Sequence, residues 1–177
     1  MNAEYSMSAL LEMVVDAGLV LEGDYARPDG SRRSYLLRLD LLAAYPRLLD
    51  SCASAIVSGM DYRRYSRLLC PLDALPLGTA VALHTGLPLV YSRGTQEAPV
   101  ADLVGAYDIG HKTLLVLNDS AWDDPTSTLL RRARSVGLDV CDAVALVDVD
   151  AWSAAADISC KMLMRLEELL QAARLRR

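Results

Sequence analysis

The sequence lacks any apolar run approaching the roughly 18 residues that a membrane span requires. Yet 53% of its 177 residues are hydrophobic, a fraction that excludes a disordered chain. No basic residue precedes the apolar stretch of MNAEYSMSALLEMVV, so no secretion signal is expected and the cytoplasm is the expected compartment. The four cysteines, Cys52, Cys70, Cys141 and Cys160, form no C-x-x-C pair. That argues against a zinc knuckle or redox motif and for reduced thiols among apolar neighbours. A basic excess is also missing, and a net charge of −5 speaks against nucleic acid as a partner. No G-x-G-x-x-G, Walker or G-x-S-x-G sequence occurs, which removes the usual nucleotide loops and the hydrolase elbow.

What is present is a regular alternation of segments, in a length that suits one domain spanning residues 1–177. Residues 7–17 place Leu10, Leu11, Val14 and Val15 on one side, the pattern of an amphipathic helix stopped by Gly18. The PDG at 28–30 reads as a turn before a short strand at 34–39. Pro46 suits the first turn of a helix reaching Gly59, with Leu48, Leu49, Cys52, Ala53, Ile56 and Val57 as its buried stripe. Strands are expected at 66–70, 87–92, 112–118 and 142–149, and helices at 77–86, 125–137 and 153–175. The run KTLLVLN at 112–118 is apolar on both faces, so it is expected at the centre of the sheet. Strand–helix alternation with such strands predicts an α/β fold: a parallel sheet with helices on both faces. Residues 93–111 read as an exposed loop with room for an edge hairpin. Ligands of such sheets bind beyond the carboxyl ends of the strands, which selects the loops 71–76, 93–111 and 119–125. Basic clusters at 27–33, 63–67, 131–134 and 173–177 are either solvated faces and helix ends or local attractants for phosphate and carboxylate ligands.

Three stretches carry a family resemblance. GDYARPDGSRRSYLLRLD is similar to an N-terminal G-x-F-x-L-x-S-G-x-x-S-x-Y segment. CPLDALPLGTAVALHTGLPLVYSR is similar to a P-x-x-G-I-P-L-A-x-A-V-A … G-x-P-x-x-x-x-R-K region. TLLVLNDSAWDDPTST lies where a diphosphate-sugar motif, hydrophobics–(D/E)-D-x-x-T-T-G-G-S/T, would stand. Over about residues 15–150 the chain resembles type I phosphoribosyltransferases, most nearly orotate phosphoribosyltransferase. The resemblance implies that family's fold with a small N-terminal hood segment. It also implies transfer of ribose 5-phosphate from phosphoribosyl diphosphate to orotate or a related base, with magnesium. In the family the motif's acids hold the ribose hydroxyls and its glycine turn wraps the 5′-phosphate at a helix N-terminus. A mobile loop brings Lys and His to the leaving pyrophosphate.

Residue by residue, much of that chemistry is replaced. Asp119 matches the second acid, but Asn118 occupies the first. Trp122, Asp123, Asp124, Pro125 and Thr126 stand where the phosphate turn would be. Arg93 matches the Arg of the R-K pair, with Gly94 in place of Lys. Between 93 and 111 there is no Lys, and His111 comes only at the far end. The Lys of the N-terminal segment falls on Arg27 or Pro28, and Leu72, Asp73 and Ala74 replace a threonine-alanine-glycine turn.

The altered turn has a plain physical reading. Glycines let several N–H groups converge on a phosphate, whereas Pro125 has no N–H to give. Asp123 or Asp124 suits the N-cap of the helix that Pro125 opens. A carboxylate about 5 Å from one phosphate charge, at an effective dielectric near 20, costs roughly 3 kcal/mol. Magnesium between them would reverse that sign, with Asp123 and Asp124 as ligands. The remaining candidates each carry two readings. Asp119 is a ribose-hydroxyl ligand or an acid finishing a strand. Trp122 stacks on a base or covers a loop or interface. Arg93 holds a phosphate or acidic pyrimidine, or makes a surface salt bridge. His84 caps a helix or faces solvent, and His111 is a displaced loop histidine or neither.

The expectation is therefore an orotate phosphoribosyltransferase-like protein that has lost catalysis, with a binding, regulatory or structural role in pyrimidine nucleotide metabolism. Its ligand set comprises Arg93, Asn118, Asp119, Trp122, Asp123, Asp124 and Thr126, and Asp119 is the one catalytic candidate. No cofactor is expected, or magnesium if the chain is active. The alternative is a divergent active phosphoribosyltransferase. Phosphoribosyl diphosphate or a pyrimidine nucleotide is the expected small partner. A homodimer is expected from the apolar spacing of Met1–Val15 and from a stripe of Met162, Met164, Leu166, Leu169 and Leu170, and a heteromer with an intact relative is a variant of it.

Overall fold

A computed structural model describes residues 6–26, 30, 32–95, 97–106, 108–121, 123–149, 152 and 157–176. Trp122, the Arg27–Pro28 position and most of the PDG turn lie outside the described residues.

The chain opens with helix α1 (Met7–Asp16), capped where the Ser6 hydroxyl accepts the N–H of Ala9 at 3.2 Å. A hairpin follows, β1 (Val20–Ala26) antiparallel to β2 (Arg32–Leu37). Helix α2 (Pro46–Ser58) begins with its proline in the first turn and buries Leu48, Cys52, Ala53 and Ile56. Then come β3 (Arg67–Cys70), α3 (Leu75–Thr85), β4 (Leu89–Ser92), the short α4 (Pro99–Asp102) and β5 (Leu103–Gly105). The second half holds β6 (Lys112–Asp119), α5 (Asp124–Ser135), β7 (Asp139–Asp148), β8 (Ser159–Arg165) and α6 (Leu166–Arg174).

Six strands form one sheet in the order β5-β4-β3-β6-β7-β8. All neighbours run parallel except β5, which returns antiparallel along β4. Strand β6 lies inside the sheet with Thr113–Asn118 buried, as a strand apolar on both faces must. One face packs on α2 and α3, and its core continues through Leu10, Val14 and Leu169 of the terminal helices. The other face is covered by Leu129, Leu130 and Ala133 of α5. The expected α/β architecture with helices on both faces is what forms.

Two expectations change. The segment 153–175 is not one helix: residues 159–165 form β8, and only Leu166–Arg174 are helical. Met162, Leu166, Leu169 and Leu170 fit helical spacing, and no glycine or proline interrupts them. The free edge of β7 decides otherwise, pairing Ala145 with Met162 and Val147 with Met164. Alternation then sends Cys160 and Met162 toward the α5 side while the Lys161 ammonium bonds the Gly59 carbonyl beyond the α2 side. Second, part of the terminal apolar stripes packs within the chain. Leu10 and Val14 of α1 share one buried cluster with Leu169 of α6, whereas Met7 stays 40% exposed and residues 1–5 of the expected stripe lie outside the described residues. Part of the 93–111 loop is the edge hairpin, since β5 pairs with β4.

Candidate functional site

The carboxyl ends of β3, β4 and β6 open onto a cleft of about 540 Å³. Pro71, Leu72 and Asp73 after β3, Gly94 and Thr95 after β4, and Asp124, Pro125 and Thr128 at the start of α5 line it. This is where a parallel sheet places ligands.

The turn between β6 and α5 is closed by its own groups. Asp119 ends the strand with its carboxylate accepting the Ala121 N–H at 2.9 Å. Asp123, in extended conformation, caps α5: its Oδ1 accepts the Thr126 N–H at 3.0 Å. Pro125 follows within the first turn. The buried Thr126 hydroxyl donates back to the Ala121 carbonyl at 3.4 Å. Of the two acids offered by the sequence, Asp123 is the cap, and Asp124 instead faces the cleft.

Asn118 braces two loops. Its Nδ2 donates to the Asp73 carbonyl at 2.9 Å, and its Oδ1 is buried without a partner among the described residues. Burial pushes the Asp119 carboxyl above the ordinary carboxylate range; Asp73 and Asp123 push further, and Arg33 of the hairpin opposes them. Asp73 is likewise raised by burial and by Asp123, against hydrogen bonds from the Asp73 and Ala74 backbones and Asn118. The region is thus negative, with Arg33 as a counter-charge from β2.

Other predicted residues stand elsewhere. Arg93 lines a separate cavity along β5 with Glu97, Val100 and Asp108, outside the cleft. His111 precedes β6 and so sits at the opposite end of a strand about 23 Å long. That placement removes it from the cleft. His84 on α3 bonds Asp50 of α2 at 2.8 Å, a helix–helix tie. All four cysteines are free, and burial pushes the thiols of Cys52, Cys70 and Cys160 up to about 12, so none of these three presents a thiolate. Among the described residues no three His, Cys, Asp or Glu side chains converge to hold a metal ion.

Two elements of the site had no sequence signal, and a third was marked only by its place in the 71–76 loop. Ser120 is fully buried and ties β6 to the end of β7, donating to Asp148 at 3.0 Å and accepting the Val149 N–H at 2.9 Å. Asp102, also fully buried, bonds Ser92, Thr95 and Arg132. Asp73 enters through its carbonyl, which accepts from the Asn118 amide. The roles of all three depend on residues distant in the chain, which local sequence does not show.

No family model matches the chain. It is 29% identical over 155 residues to orotate phosphoribosyltransferase of Thermococcus kodakarensis, covering 81% of this chain and 80% of that protein. Over 146 residues it is 27% identical to the orotate phosphoribosyltransferase of Methanopyrus kandleri, with 78% and 76% covered. Among solved structures, the Leishmania donovani UMP synthase superposes with a TM-score of 0.85 at 24% identity over 98% of this chain, which spans only 39% of that longer one. Aeropyrum pernix orotate phosphoribosyltransferase gives 0.78 at 20% identity, with 94% and 98% covered. The Mycobacterium tuberculosis enzyme in complex with 5-phospho-α-D-ribosyl 1-diphosphate gives 0.71 at 19%, with 92% and 98% covered. The chain has the type I phosphoribosyltransferase fold, and in sequence it resembles orotate phosphoribosyltransferases.

Proposed function

We propose that the chain is a catalytically degenerate orotate phosphoribosyltransferase-like protein with a binding, regulatory or structural role linked to pyrimidine nucleotide metabolism. The observation that carries this reading is the closed turn between β6 and α5. The N–H of Thr126 is taken by Asp123, the N–H of Ala121 by Asp119, and Pro125 has none. A 5′-phosphate arriving there meets carboxylates at a helix start already capped. At about 5 Å and an effective dielectric near 20, each such charge pair opposes binding by roughly 3 kcal/mol. A dianion roughly doubles this, a loss of more than a thousandfold in affinity.

Magnesium, in the family's reaction, supplies charge neutralisation on the diphosphate. Such an ion is held by one or two carboxylates together with substrate phosphates. Asp73 and Asp124 line the cleft, but with the phosphate turn closed the substrate phosphates that complete the ion's shell have no seat, so the site does not fit it and no step is assigned through it. The second family component, a loop Lys or His over the pyrophosphate, has no counterpart at the cleft: Gly94 and Thr95 line it there.

Self-association is part of the proposal. Helix α3 carries no charged residue before His84 and is apolar around its girth; such a helix is ordinarily covered on all sides. Its inner side is buried through Leu77, Gly78 and Val81, while Leu83 is 82% exposed beside a groove formed with Pro46, Leu49 and Ala80. Protrusion and groove share one face, the condition for a two-fold pairing of like chains. An intact relative would fit the same face in a heteromer. No described helix is long and apolar enough to cross a membrane, and a cytoplasmic setting accompanies the reading.

The test is direct. Purified protein given orotate, phosphoribosyl diphosphate and magnesium is expected to form no nucleotide. Calorimetry with phosphoribosyl diphosphate and magnesium is expected to show binding at least about a thousandfold weaker than micromolar. Turnover that disappears in Asp119→Asn would overturn the proposal in favour of a divergent active enzyme.

A further inference from the structure

We propose that the segment following β4, which in the resembling enzymes is a mobile catalytic loop, is in this chain a latched strap that forms a fixed wall of the cleft, with Asp102 as the latch and Arg132 as its anchor on α5.

The latch is one buried carboxylate holding four bonds from three residues. Asp102 ends α4 and is fully buried. One of its oxygens accepts the Thr95 N–H at 2.8 Å and the Thr95 hydroxyl at 3.3 Å. The other accepts the Ser92 hydroxyl at 2.7 Å and the Arg132 guanidinium at 3.1 Å. Arg132 donates in addition to the Thr95 carbonyl at 2.7 Å. Two further bonds complete the fold of the strap: the Gly94 N–H to the Ser92 hydroxyl at 3.0 Å, and the Arg93 N–H to the Asp102 carbonyl at 3.0 Å. Gly94 stands at φ +71, the left-handed conformation that glycine adopts without strain.

This arrangement ties both ends of the segment to one charge and that charge to α5. A buried carboxylate has to be paired and fully hydrogen-bonded to stay ionised, and removing any partner leaves an unsatisfied buried group. Opening the strap would strip the carboxylate of Thr95 and expose the Arg132 pair together, a concerted loss that solvent-exposed loops do not face. The result faces the cleft: Gly94 and Thr95 line it, while Arg93 turns to the cavity along β5. The cleft accordingly keeps one width with or without a ligand. The latch is independent of catalytic loss, since a latched strap and an active site are measured separately.

Hydrogen exchange on the full chain is the test. Amides of residues 93–95 are expected to be protected, in a segment whose counterpart in the resembling enzymes is mobile. Asp102→Asn is expected to speed their exchange about tenfold or more, with peptides of Leu114–Leu117 in β6 unchanged. Should that variant fail to fold, Ser92→Ala decides: it removes one partner of the latch and of Gly94, and is expected to accelerate the Gly94 amide about fivefold. Adding phosphoribosyl diphosphate with magnesium is expected to leave the protection unchanged. Amides at 93–95 exchanging at the rate of an unstructured chain in the parent, or rates unmoved in both variants, would overturn the latch. Orotate turnover with protection intact would sink the functional proposal and leave the latch standing.

Discussion

Replacing Asp123 by alanine isolates the chemistry of the closed turn. The side chain is exposed, so little packing is lost, and its measurable contact is the 3.0 Å bond from the Thr126 N–H. Loss of such a cap costs about 0.5–2 kcal/mol, typically near 1. Removing a negative charge from a helix start adds roughly 0.3 kcal/mol at an exposed site. Relief of repulsion acts in the other direction, because Asp123 raises the carboxyls of both Asp73 and Asp119. The sum is a destabilisation of about 1 kcal/mol. Helix α5 covers one sheet face through Leu129, Leu130 and Ala133, so the loss is transmitted to the cooperative core. In urea the midpoint should fall by about 0.5 M, and the thermal midpoint by roughly 2–4 °C. Protein concentration must be held constant, since the proposed self-association would shift both. Asp123→Asn is the control: asparagine caps about as well, so it should stay within a few tenths of a kcal/mol of the parent. An alanine variant as stable as the parent would refute the cap. An asparagine variant as weak as the alanine one would show that charge, not capping, holds the turn.

Asp119→Asn should raise stability at neutral pH. Burial, Asp73 and Asp123 hold this carboxyl above its ordinary value in the folded chain, so the native state binds the proton more tightly than the unfolded one. Stability therefore falls as pH rises through that interval, and the variant escapes the fall while an amide oxygen still accepts the Ala121 N–H. Chemical denaturation at pH 7 and below about pH 4 should show the gain only at the former; an equal gain at both would refute the assignment. Under the self-association proposal, the parent is expected to scatter as a dimer at micromolar concentration and Leu83→Asp as a monomer, with the fold retained by circular dichroism. A parent of single-chain mass, unchanged on concentration, would remove the self-association proposal.

Most of the frame was legible because it rests on local physics. Pro46, Gly18 and Gly86 punctuate helices through backbone constraints that act within a few residues. The run at 112–118 declares a central strand because only a doubly covered strand is apolar on both faces. The closed turn was legible for the same reason: a proline without an N–H and adjacent carboxylates at a helix start act locally.

What escaped required partners far along the chain. Residues 159–165 carry a pattern compatible with a helix, and the open edge of β7 made them a strand. The amphipathic terminal helices suggested an interface by their spacing, but Leu10, Val14 and Leu169 pack into one core, and an apolar side chain of greater exposure, Leu83, stands on α3. Arg93 matched a motif by position, but the direction of its side chain follows from the strap that Asp102 folds. Asp102 itself looks in the sequence like any loop acid. It became a buried latch because Ser92, Thr95 and Arg132 converge on it from a strand end, a loop and a helix. Sequence alone settled most of the helices and inner strands, the sheet's central strand and the replacement of a phosphate turn by a capped helix start. The tertiary structure alone decided which acids are buried, which are paired and which face the cleft, because burial and pairing are set by neighbours that only folding brings together.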